Sequence, residues 1–440
     1  MFERKTWFLV GMMILLIGTS GVWGASKIEL TSWDIGTNDG VIKPVYEALW
    51  AEFEKANPDI VIKHVDNPST NYQQVFTTGM AGGSGPDITT ATSYPMMPGF
   101  VKQGFCLDLT SMWRKYSDRN QFLPSSLAAG TINGKIYGVP HDMYVMGLMY
   151  NKDRFKEAGI DPVNPPKNWA EFATAAQKLT NRAKQQYGYA LLGMDWGDWF
   201  FEYYVWQAGG DLTKKNADGS CTLQFTSKST IAALQYYKDL KWKYNCVQDN
   251  VLQGFDENRT DFVQGRAAMS LAATDWFSWL VGAGIDLNKI GFTQIPAGPS
   301  GKSPSQTGGS YWIINPTISK EKQVAAFKFI TFMSSKQALE RVLKYQADNG
   351  IMPNLLCVRQ DVDLSKYLKG VSADLVGGVQ KAAEKTRLEY FLKGPLSPYV
   401  AKMMQKVLTD KNADPKAAAL EAQVAAQKEV VNHYNASLKK

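Results

Sequence analysis

The sequence is poor in the residues that build metal centres and nucleophilic sites. It has three histidines in 440 residues, His64, His141 and His433, and they lie far apart. That spacing excludes the closely placed ligand pairs of zinc sites, so the sequence predicts neither a metal nor another cofactor. "PAGPSGKS" lacks the first glycine of a phosphate loop, and Pro86 replaces the last glycine of a nucleophile elbow in "GGSGP". No clear pair of catalytic carboxylates is visible either, so we expect no enzyme.

Basic runs and cysteines are also scarce. The net charge of +7 is spread along the chain, and no basic run is longer than a pair such as Lys439-Lys440, which argues against a nucleic-acid partner. Of four cysteines, Cys221 lies in the strand-like "CTLQF", and Cys246 follows a helical stretch that could return the chain beside that strand. We favour a Cys221–Cys246 disulfide, which an exported protein permits, over the alternative of two free buried thiols.

Long apolar runs are absent except near the N-terminus. A charged start precedes an apolar run over residues 7–17 that is too short to span a bilayer, and small residues follow. This pattern predicts a signal peptide over residues 1–24 rather than a membrane anchor. Cleavage after Gly24 puts Val22 at the third position before the cut, whereas cleavage after Ala25 puts Trp23 there. Val22 suits that position better than Trp23, so we favour cleavage after Gly24. The first 25 residues contain no cysteine that could carry a lipid anchor, so we expect a periplasmic, soluble protein.

What the chain does contain is a regular alternation of strand and helix patterns. "KIELTSW" alternates as a strand, helical spacing follows over residues 41–56, and "DIVIKHV" is a strand again. Later strands are predicted in "PDITTAT", "AAMSLAA", "IGFTQIP" and "SYWIIN". Among the later helices, one is predicted over 168–186 and a last helical stretch from about 398 to 434. This order predicts an α/β fold with largely parallel sheets, and the length of the chain favours two lobes.

One extended segment contains a polar interruption. In "NGKIYGVPHDMYVMGLMYNKDRFK", residues 133–156, His141-Asp142 separate an apolar strand ending at Pro140 from an apolar run that begins at Met143. A strand inside one core has no use for such a break. A strand that leaves one core, passes an open space and enters a second core does, so we expect a crossing between two lobes here.

Aromatic residues recur beside carboxylates and turns where predicted strands end. Ligands bind outside the carboxyl ends of strands in open α/β sheets, so these residues could line one cleft. An aromatic ring next to a carboxylate suits a sugar, because the ring covers the apolar face of the sugar and the acid accepts from its hydroxyls. Each ring taken alone is more often ordinary core, and it is the recurrence that favours a cleft. The residues are Trp33-Asp34, Tyr94, Tyr144, Asp195-Trp196, Trp199, Asp275-Trp276, and Gly309 with Tyr311.

These motifs, taken in order, resemble the extracellular solute-binding proteins of ABC importers, in the sugar-binding group that includes the maltose-binding protein. The resemblance covers nearly the whole chain after residue 25 and rests on the segment 133–160 together with "GMAGGSGPDI", "PPKNWAEFATAAQKLT", "GRAAMSLAATDW", "IGFTQIPAGPSGK", "GGSYWIINPTISKEKQVAAFKFITFM" and "NGIMPN". It implies an α/β, two-lobed periplasmic-binding-protein fold whose discontinuous lobes are joined by a hinge. The expected lobes are 26–142 with 311–348, and 147–306 with 353–440 including the C-terminal helices.

The resemblance also implies a function. It predicts an extracytoplasmic, monomeric protein that closes its lobes around a sugar or oligosaccharide and delivers it to an ABC import permease. In this interpretation Asp142 and Tyr144 face the ligand from the crossing, Trp276 is the principal stacking platform, and Tyr399 is the nearest candidate for a further ring in the C-terminal helices. The alternatives are a secreted glycan-active enzyme, a structural or adhesion module, and a binding protein for a non-sugar solute such as a glycerol phosphodiester.

Overall fold

The computed structural model describes residues 27–34, 42–66, 72–93, 96–128, 130–194 and 196–438. The predicted signal peptide therefore lies outside the described residues. Within these ranges, no helix combines the length and the apolar composition needed to cross a bilayer. The strands are β1 (Ile28–Asp34), β2 (Ile60–Asp66), β3 (Ile88–Ser93), β4 (Thr131–Ile132), β5 (Lys135–Ile136), β6 (Val139–Pro140), β7 (Tyr144–Asn151), β8 (Tyr187–Ala190), β9 (Thr213–Lys215), β10 (Cys221–Leu223), β11 (Ala267–Ala273), β12 (Ile290–Thr293), β13 (Ser305–Gly308), β14 (Ser310–Ile314) and β15 (Thr386–Arg387).

The helices surround two sheets built from these strands. They are α1 (Lys43–Ala56), α2 (Tyr72–Ala81), α3 (Met97–Lys102), α4 (Thr110–Lys115), α5 (Pro124–Ala128), α6 (Lys152–Glu157), α7 (Trp169–Leu179), α8 (Gly197–Gln207), α9 (Lys228–Trp242), α10 (Phe255–Val263), α11 (Phe277–Gly282), α12 (Lys320–Met333), α13 (Lys336–Asp348), α14 (Ala373–Ala383), α15 (Lys393–Thr409), α16 (Pro415–Ala426) and α17 (Asn432–Ser437).

The first lobe is built on a five-stranded sheet with the order β2-β1-β3-β14-β6. β1 runs parallel to β2 and β3, whereas β14 runs antiparallel to β3 and β6. Helix α1 covers this sheet through Val45, Leu49 and Phe53, whose four-residue spacing places them on one buried face. Pro44 lies in its first turn, where a missing N–H costs nothing, and Asn57 ends it by donating to the carbonyl of Phe53.

The second lobe is built on a six-stranded sheet with the order β15-β13-β7-β11-β8, and β12 also pairs with β7. β7 is antiparallel to β11, β12 and β13, while the pairs β11–β8 and β13–β15 are parallel. The prediction of largely parallel sheets is therefore wrong for this lobe. The physical reason is that β7 arrives from the first lobe and runs against all three of its neighbours, which gives a mixed sheet.

The helix predicted over residues 168–186 ends early, at Leu179. The side chain of Asn168 accepts from the N–H of Glu171 at 3.0 Å and begins the helix. Thr180 then turns its hydroxyl back onto the carbonyl four residues earlier, and Gln185 adopts a left-handed conformation with φ 52°. These two residues turn the chain into β8, so helical periodicity beyond Leu179 does not produce a helix.

The helical stretch predicted from about 398 to 434 consists of separate helices. α15 begins at Lys393 and ends at Thr409, and α16 begins at Pro415. Asp414 caps α16 because its carboxylate accepts from the backbone N–H groups of Lys416 and Ala417. The aspartate and proline together start a new helix, which periodicity alone does not reveal.

The predicted crossing coincides with a change of sheet. β6 ends at Pro140 in the first sheet and β7 begins at Tyr144 in the second, so residues 141–143 connect the lobes. A second connection consists of Gly309 alone, because β13 belongs to the second sheet and β14 to the first. The side-chain amide of Asn354 donates to the carbonyl of Met143 at 2.7 Å and ties a third segment to the first.

This third segment returns to the first lobe before it enters the second. Leu355 is buried in the second core, but Val358 is buried in the first. The N–H of Leu123 donates to the carbonyl of Val358 at 2.9 Å, and the buried guanidinium of Arg359 pairs with Asp118 at 3.1 Å. The expected range 353–440 for the second lobe thus contains a stretch around Val358 that packs on the first.

Candidate ligand-binding site at the lobe crossing

The two crossing segments at residues 141–144 and 308–310 are packed directly against each other. The carboxylate of Asp142 accepts from the N–H of Ser310 at 2.6 Å. A Cβ atom on Gly309 would lie 2.2 Å from the carbonyl oxygen of Asp142, and one on Gly308 would lie 2.2 Å from the ring of Tyr144. Gly309 is therefore required by the close approach of the two backbones and Gly308 by the packing of the Tyr144 ring, while contact of Gly309 with ligand stays a prediction.

A continuous set of rings extends from the crossing into the second lobe. Tyr144 meets Trp199 edge to face with 6.3 Å between centroids, and Trp199 meets Trp196 at 6.0 Å. Trp196 lies 5.0 Å from Phe255, which in turn lies 4.9 Å from Trp276. We call these five residues the aromatic surface. The structure thus brings together four of the predicted residues, Tyr144, Trp196, Trp199 and Trp276.

The most accessible ring of the aromatic surface is also held in an unusual backbone conformation. Trp196 is 56% exposed and has φ 61°, the left-handed region that non-glycine residues rarely occupy. It lies at the start of α8, where the preceding strand β8 has ended. A large apolar side chain kept exposed and strained in this way is typical of a functional position rather than of a core.

The carboxylates of Asp142 and Asp275 line one recess with Tyr46 and His141, and both act electrostatically on Tyr144 of the aromatic surface. Both side chains are exposed. Although Asp275 as a whole residue is exposed, desolvation of its carboxylate by the surrounding protein, followed by the charge of Asp142, raises its pKa to about 7. Burial, followed by the charges of Glu389, Asp275 and Asp142, raises the pKa of the Tyr144 phenol well above its usual value. The Tyr144 hydroxyl therefore remains a donor at neutral pH.

A second group of carboxylates is buried beneath Trp199. Asp198 accepts from the hydroxyl of Tyr390 at 2.7 Å, and the ammonium of Lys393 lies 3.8 Å from Asp198 and 4.0 Å from Glu389. Glu202 is fully buried, and neither of its carboxylate oxygens has a partner among the described residues. Burial and then the charge of Glu389 raise the pKa of Glu202 well above its usual value.

The sequence analysis did not identify Phe255, Glu202 or Glu389 as part of this region. Phe255 opens α10 directly after Gly254, a helix-start signal, but nothing near it marks a strand end. Glu202 is the single acidic residue within the apolar run "WFFEYYVW", and a lone acid in a buried helix is a usable signal. Glu389 carries no local signal.

Two predicted ligand contacts are used inside the first lobe instead. Asp34 is buried, and its carboxylate pairs with Nδ1 of His64 at 2.7 Å and accepts from the hydroxyl of Ser32 at 2.9 Å. Tyr311 is buried and donates its hydroxyl to the carbonyl of Ser126 at 2.7 Å. The polar groups of these two side chains are thus satisfied within the fold, and their contact with ligand stays a prediction.

The remaining predicted residues divide into three cases. Trp33 is half-buried at the end of β1 and packs against the first lobe, and its role stays a prediction. Tyr399 donates its hydroxyl to Glu429 at 2.5 Å, so it belongs to the contacts between C-terminal helices and not to the aromatic surface. Tyr94 and Asp195 lie outside the described residues.

The predicted disulfide is absent. Cys221 and Cys246 are both buried free thiols, and the thiol of Cys246 donates to the carbonyl of Leu240 at 3.5 Å. Helix α9 returns the chain to β8 rather than to β10, since the N–H of Tyr189 in β8 donates to the carbonyl of Cys246 at 3.0 Å and Tyr189 forms a parallel β-bridge with Val247. Burial raises the pKa of Cys221 to about 11 and that of Cys246 to about 12, which makes both thiols poor nucleophiles.

Comparison with known proteins identifies the family of the chain. The model of the family described as "Bacterial extracellular solute-binding protein" matches residues 39–340. A putative binding protein of Brucella abortus is 26% identical over 360 residues, which cover 79% of this chain and 80% of that protein. A solute-binding protein of Thermotoga lettingae, solved with α-D-tagatose, superposes with a TM-score of 0.74 at 24% identity, covering 91% of this chain and 99% of that one.

A third relative binds a different class of solute. UgpB from Mycobacterium tuberculosis, solved with glycerophosphocholine, superposes with a TM-score of 0.73 at 22% identity over 94% of this chain and 100% of that chain. At these identities the structural matches establish the two-lobed fold and not the ligand. Because the family model covers more than half of the sequence, the chain belongs to the bacterial extracellular solute-binding proteins of ABC importers.

Proposed function

We propose that this protein binds a sugar or oligosaccharide outside the cytoplasm and delivers it to an ABC import permease. The observation that carries the proposal is the aromatic surface at the lobe crossing, with the exposed carboxylates of Asp142 and Asp275 near enough to act electrostatically on Tyr144. Rings of this kind stack on the apolar C–H face of a pyranose. Carboxylates accept hydrogen bonds from its hydroxyls, and charge-assisted bonds of this type are the strong ones.

The charges around the aromatic surface favour a neutral ligand rich in hydroxyl donors over an anionic one. Asp142, Asp275 and Glu389 all contribute to the electrostatic environment of Tyr144. In the part of the chain that the structure describes, the lysine found among these acids is Lys393, which is already paired with Asp198 and Glu389. A phosphodiester would meet repulsion there without a free cation to offset it.

Lobe closure is the proposed mechanism of capture. The connections at residues 141–143 and at Gly309 are short and lie side by side, so a rotation about them would move the second lobe as a unit. The closed form would then be the one that a permease recognises, and no bond of the ligand would need to change. We therefore expect no catalytic activity.

A ligand screen tests the proposal. The purified protein is melted with single mono- and oligosaccharides and with glycerophosphocholine, since a ligand bound only by the folded state raises the melting temperature by mass action. We expect a sugar to give the largest shift and titration calorimetry to confirm its binding. A shift with glycerophosphocholine and none with any sugar would favour the phosphodiester alternative and refute a carbohydrate ligand.

Two further measurements separate the remaining alternatives. Small-angle scattering with and without the sugar found in the screen should show a more compact particle with ligand, whereas a structural or adhesion module would not change. Prolonged incubation followed by product analysis should recover the sugar intact. Release of hydrolysis products by pure protein would indicate a glycan-active enzyme instead.

A further inference from the structure

A second recess lies on the outer side of the second lobe, away from the crossing. It is a cavity of about 740 Å³. Its walls come from three segments, residues 162–167, residues 292–304 and helix α14, and Tyr150 of β7 contributes to the floor. A volume of this size is typical of pockets that hold a small organic molecule.

The walls of this recess are fixed to one another within a single lobe. The hydroxyl of Tyr150 donates to the carbonyl of Pro162 at 2.7 Å, and the N–H of Ala297 donates to the carbonyl of Lys167 at 2.8 Å. The side-chain amide of Gln294, just after β12, donates to the carbonyl of Lys381 at 3.0 Å and joins the segment that follows β12 to α14. The recess is therefore preformed, and its shape does not depend on lobe closure.

A pair of glycines in α14 keeps the recess open. A Cβ atom on Gly378 would lie 1.9 Å from the carbonyl oxygen of Phe292, so only glycine allows the helix to pack this closely on β12. Gly377 lines the recess, and a Cβ atom there would meet nothing within 4 Å. Two glycines in a helix interior cost stability, and here they place the helix against the strand while leaving the recess unfilled.

The charged groups around the recess are mostly lysines. Four exposed lysines line it, and within the described ranges none of them forms an ion pair; they are Lys167, Lys302, Lys381 and Lys385. The one carboxylate in the lining, Asp374, already pairs with Lys152 at 2.5 Å. The recess thus has the opposite sign of charge from the crossing site, where carboxylates dominate.

We propose that this recess binds a ligand that carries two or more carboxylate or phosphate groups. The lysines line the recess from three separate segments, so a ligand with several anionic groups could contact more than one of them at once. Pro162, Phe292 and Ile295 supply apolar wall for the body of such a ligand. The same chemistry fits a free small polyanion and a run of acidic side chains in a peptide, and the experiment distinguishes the two.

Titration calorimetry on the full protein at low ionic strength tests the proposal with citrate and with a hexaglutamate peptide. The cavity variant K167Q/K302Q/K381Q/K385Q should bind the better of the two probes about ten- to thirty-fold more weakly than wild type, as expected for the loss of four exposed charge contacts. The control K184Q/K228Q/K411Q/K428Q removes the same charge at exposed lysines outside the recess and should bind like wild type.

A second variant tests the cavity without changing charge. Gly377→Leu places a side chain into open space on a helix that favours leucine over glycine, so it should fold normally and still weaken binding. Thermal melts of all variants verify folding. Binding of citrate indicates a small polyanion, and binding of hexaglutamate alone indicates an acidic segment. Absence of binding by both probes, or equal weakening in the cavity and control variants, would overturn the proposal.

Discussion

Among the five rings of the aromatic surface, Trp196 is the one whose replacement should reduce ligand affinity with the smallest loss of packing, because it is the most exposed. A tryptophan offers at most roughly 250 Å² of contact area, so an exposed fraction of 56% leaves about 140 Å² for a ligand. At roughly 25 cal/mol per Å², a sugar that covers half of this area gains about 2 kcal/mol. Trp196→Ala and Trp196→Gly should therefore each weaken binding about thirty-fold.

The two variants should differ in stability although they share the loss of affinity. Both lose the ring contacts to Trp199 and Phe255. Only glycine relieves the left-handed backbone at φ 61°, which costs a non-glycine residue about 1–2 kcal/mol. The melting temperature of the glycine variant should therefore exceed that of the alanine variant.

Calorimetric titration with the sugar identified in the screen measures the affinities, and melts without ligand measure the stabilities. Leu420→Ala serves as a control, because Leu420 is a 53% exposed apolar residue on α16 and should leave binding unchanged. Unaltered affinity in both Trp196 variants would refute the role of this ring. An alanine variant as stable as the glycine variant would refute the argument from backbone strain.

Three further predictions follow from the same contacts. Trp276→Ala should also weaken sugar binding by about 1–3 kcal/mol. It should lower the melting temperature as well, because the half-buried ring packs against both hydrophobic clusters of the second lobe. Wild-type affinity of this variant in calorimetry would exclude Trp276 as a stacking platform. The pKa of Asp275 is raised to about 7 in the folded state, above its unfolded value of about 4, so the folded protein holds this proton more tightly than the unfolded chain does. Ligand-free wild type should therefore lose stability relative to Asp275→Asn as the pH rises from about 4 to about 7. Parallel thermal melts of the two proteins across that range check the sign. Cys221 and Cys246 should react with iodoacetamide only after denaturation, and mass spectrometry that finds a linked peptide in non-reduced protein would contradict the free thiols.

The order of elements follows from the sequence because local patterns dominate it. β1, α1 and β11 agree with their alternating, helical and apolar patterns, and the polar break at His141-Asp142 marks the change of sheet. Strand direction in the second sheet cannot be predicted from local patterns. It depends on the side from which β7 enters the sheet and not on any residue within β7. Helix ends depend on single side chains such as Thr180, whose hydroxyl bond competes with the next helical turn.

The site was only partly predictable for a related reason. Trp196 and Trp276 can be recognised in the sequence as rings beside predicted strand ends, and in the structure both contact Phe255 and so belong to one surface. Asp34 carries the same local signal but is satisfied by His64, which belongs to the neighbouring strand and cannot be recognised as a partner from spacing. Glu389 reaches the buried carboxylates from a segment nearly two hundred positions along the chain from Asp198 and Glu202. Residues that become partners only through tertiary packing cannot be recognised from a local sequence pattern.

The position of β14 in the first sheet sets the order in which the protein can fold. β14 lies between β3 and β6, yet it is made only after the whole of the stretch from β7 to β13 has been synthesised. Until residues 310–314 arrive, β3 and β6 lack the strand that joins them, and the first lobe remains an incomplete sheet. Pairing across so long a separation carries a large loop-closure cost and is slow. A chain built in this way can complete its first lobe only late in its synthesis, after residue 314 has been made.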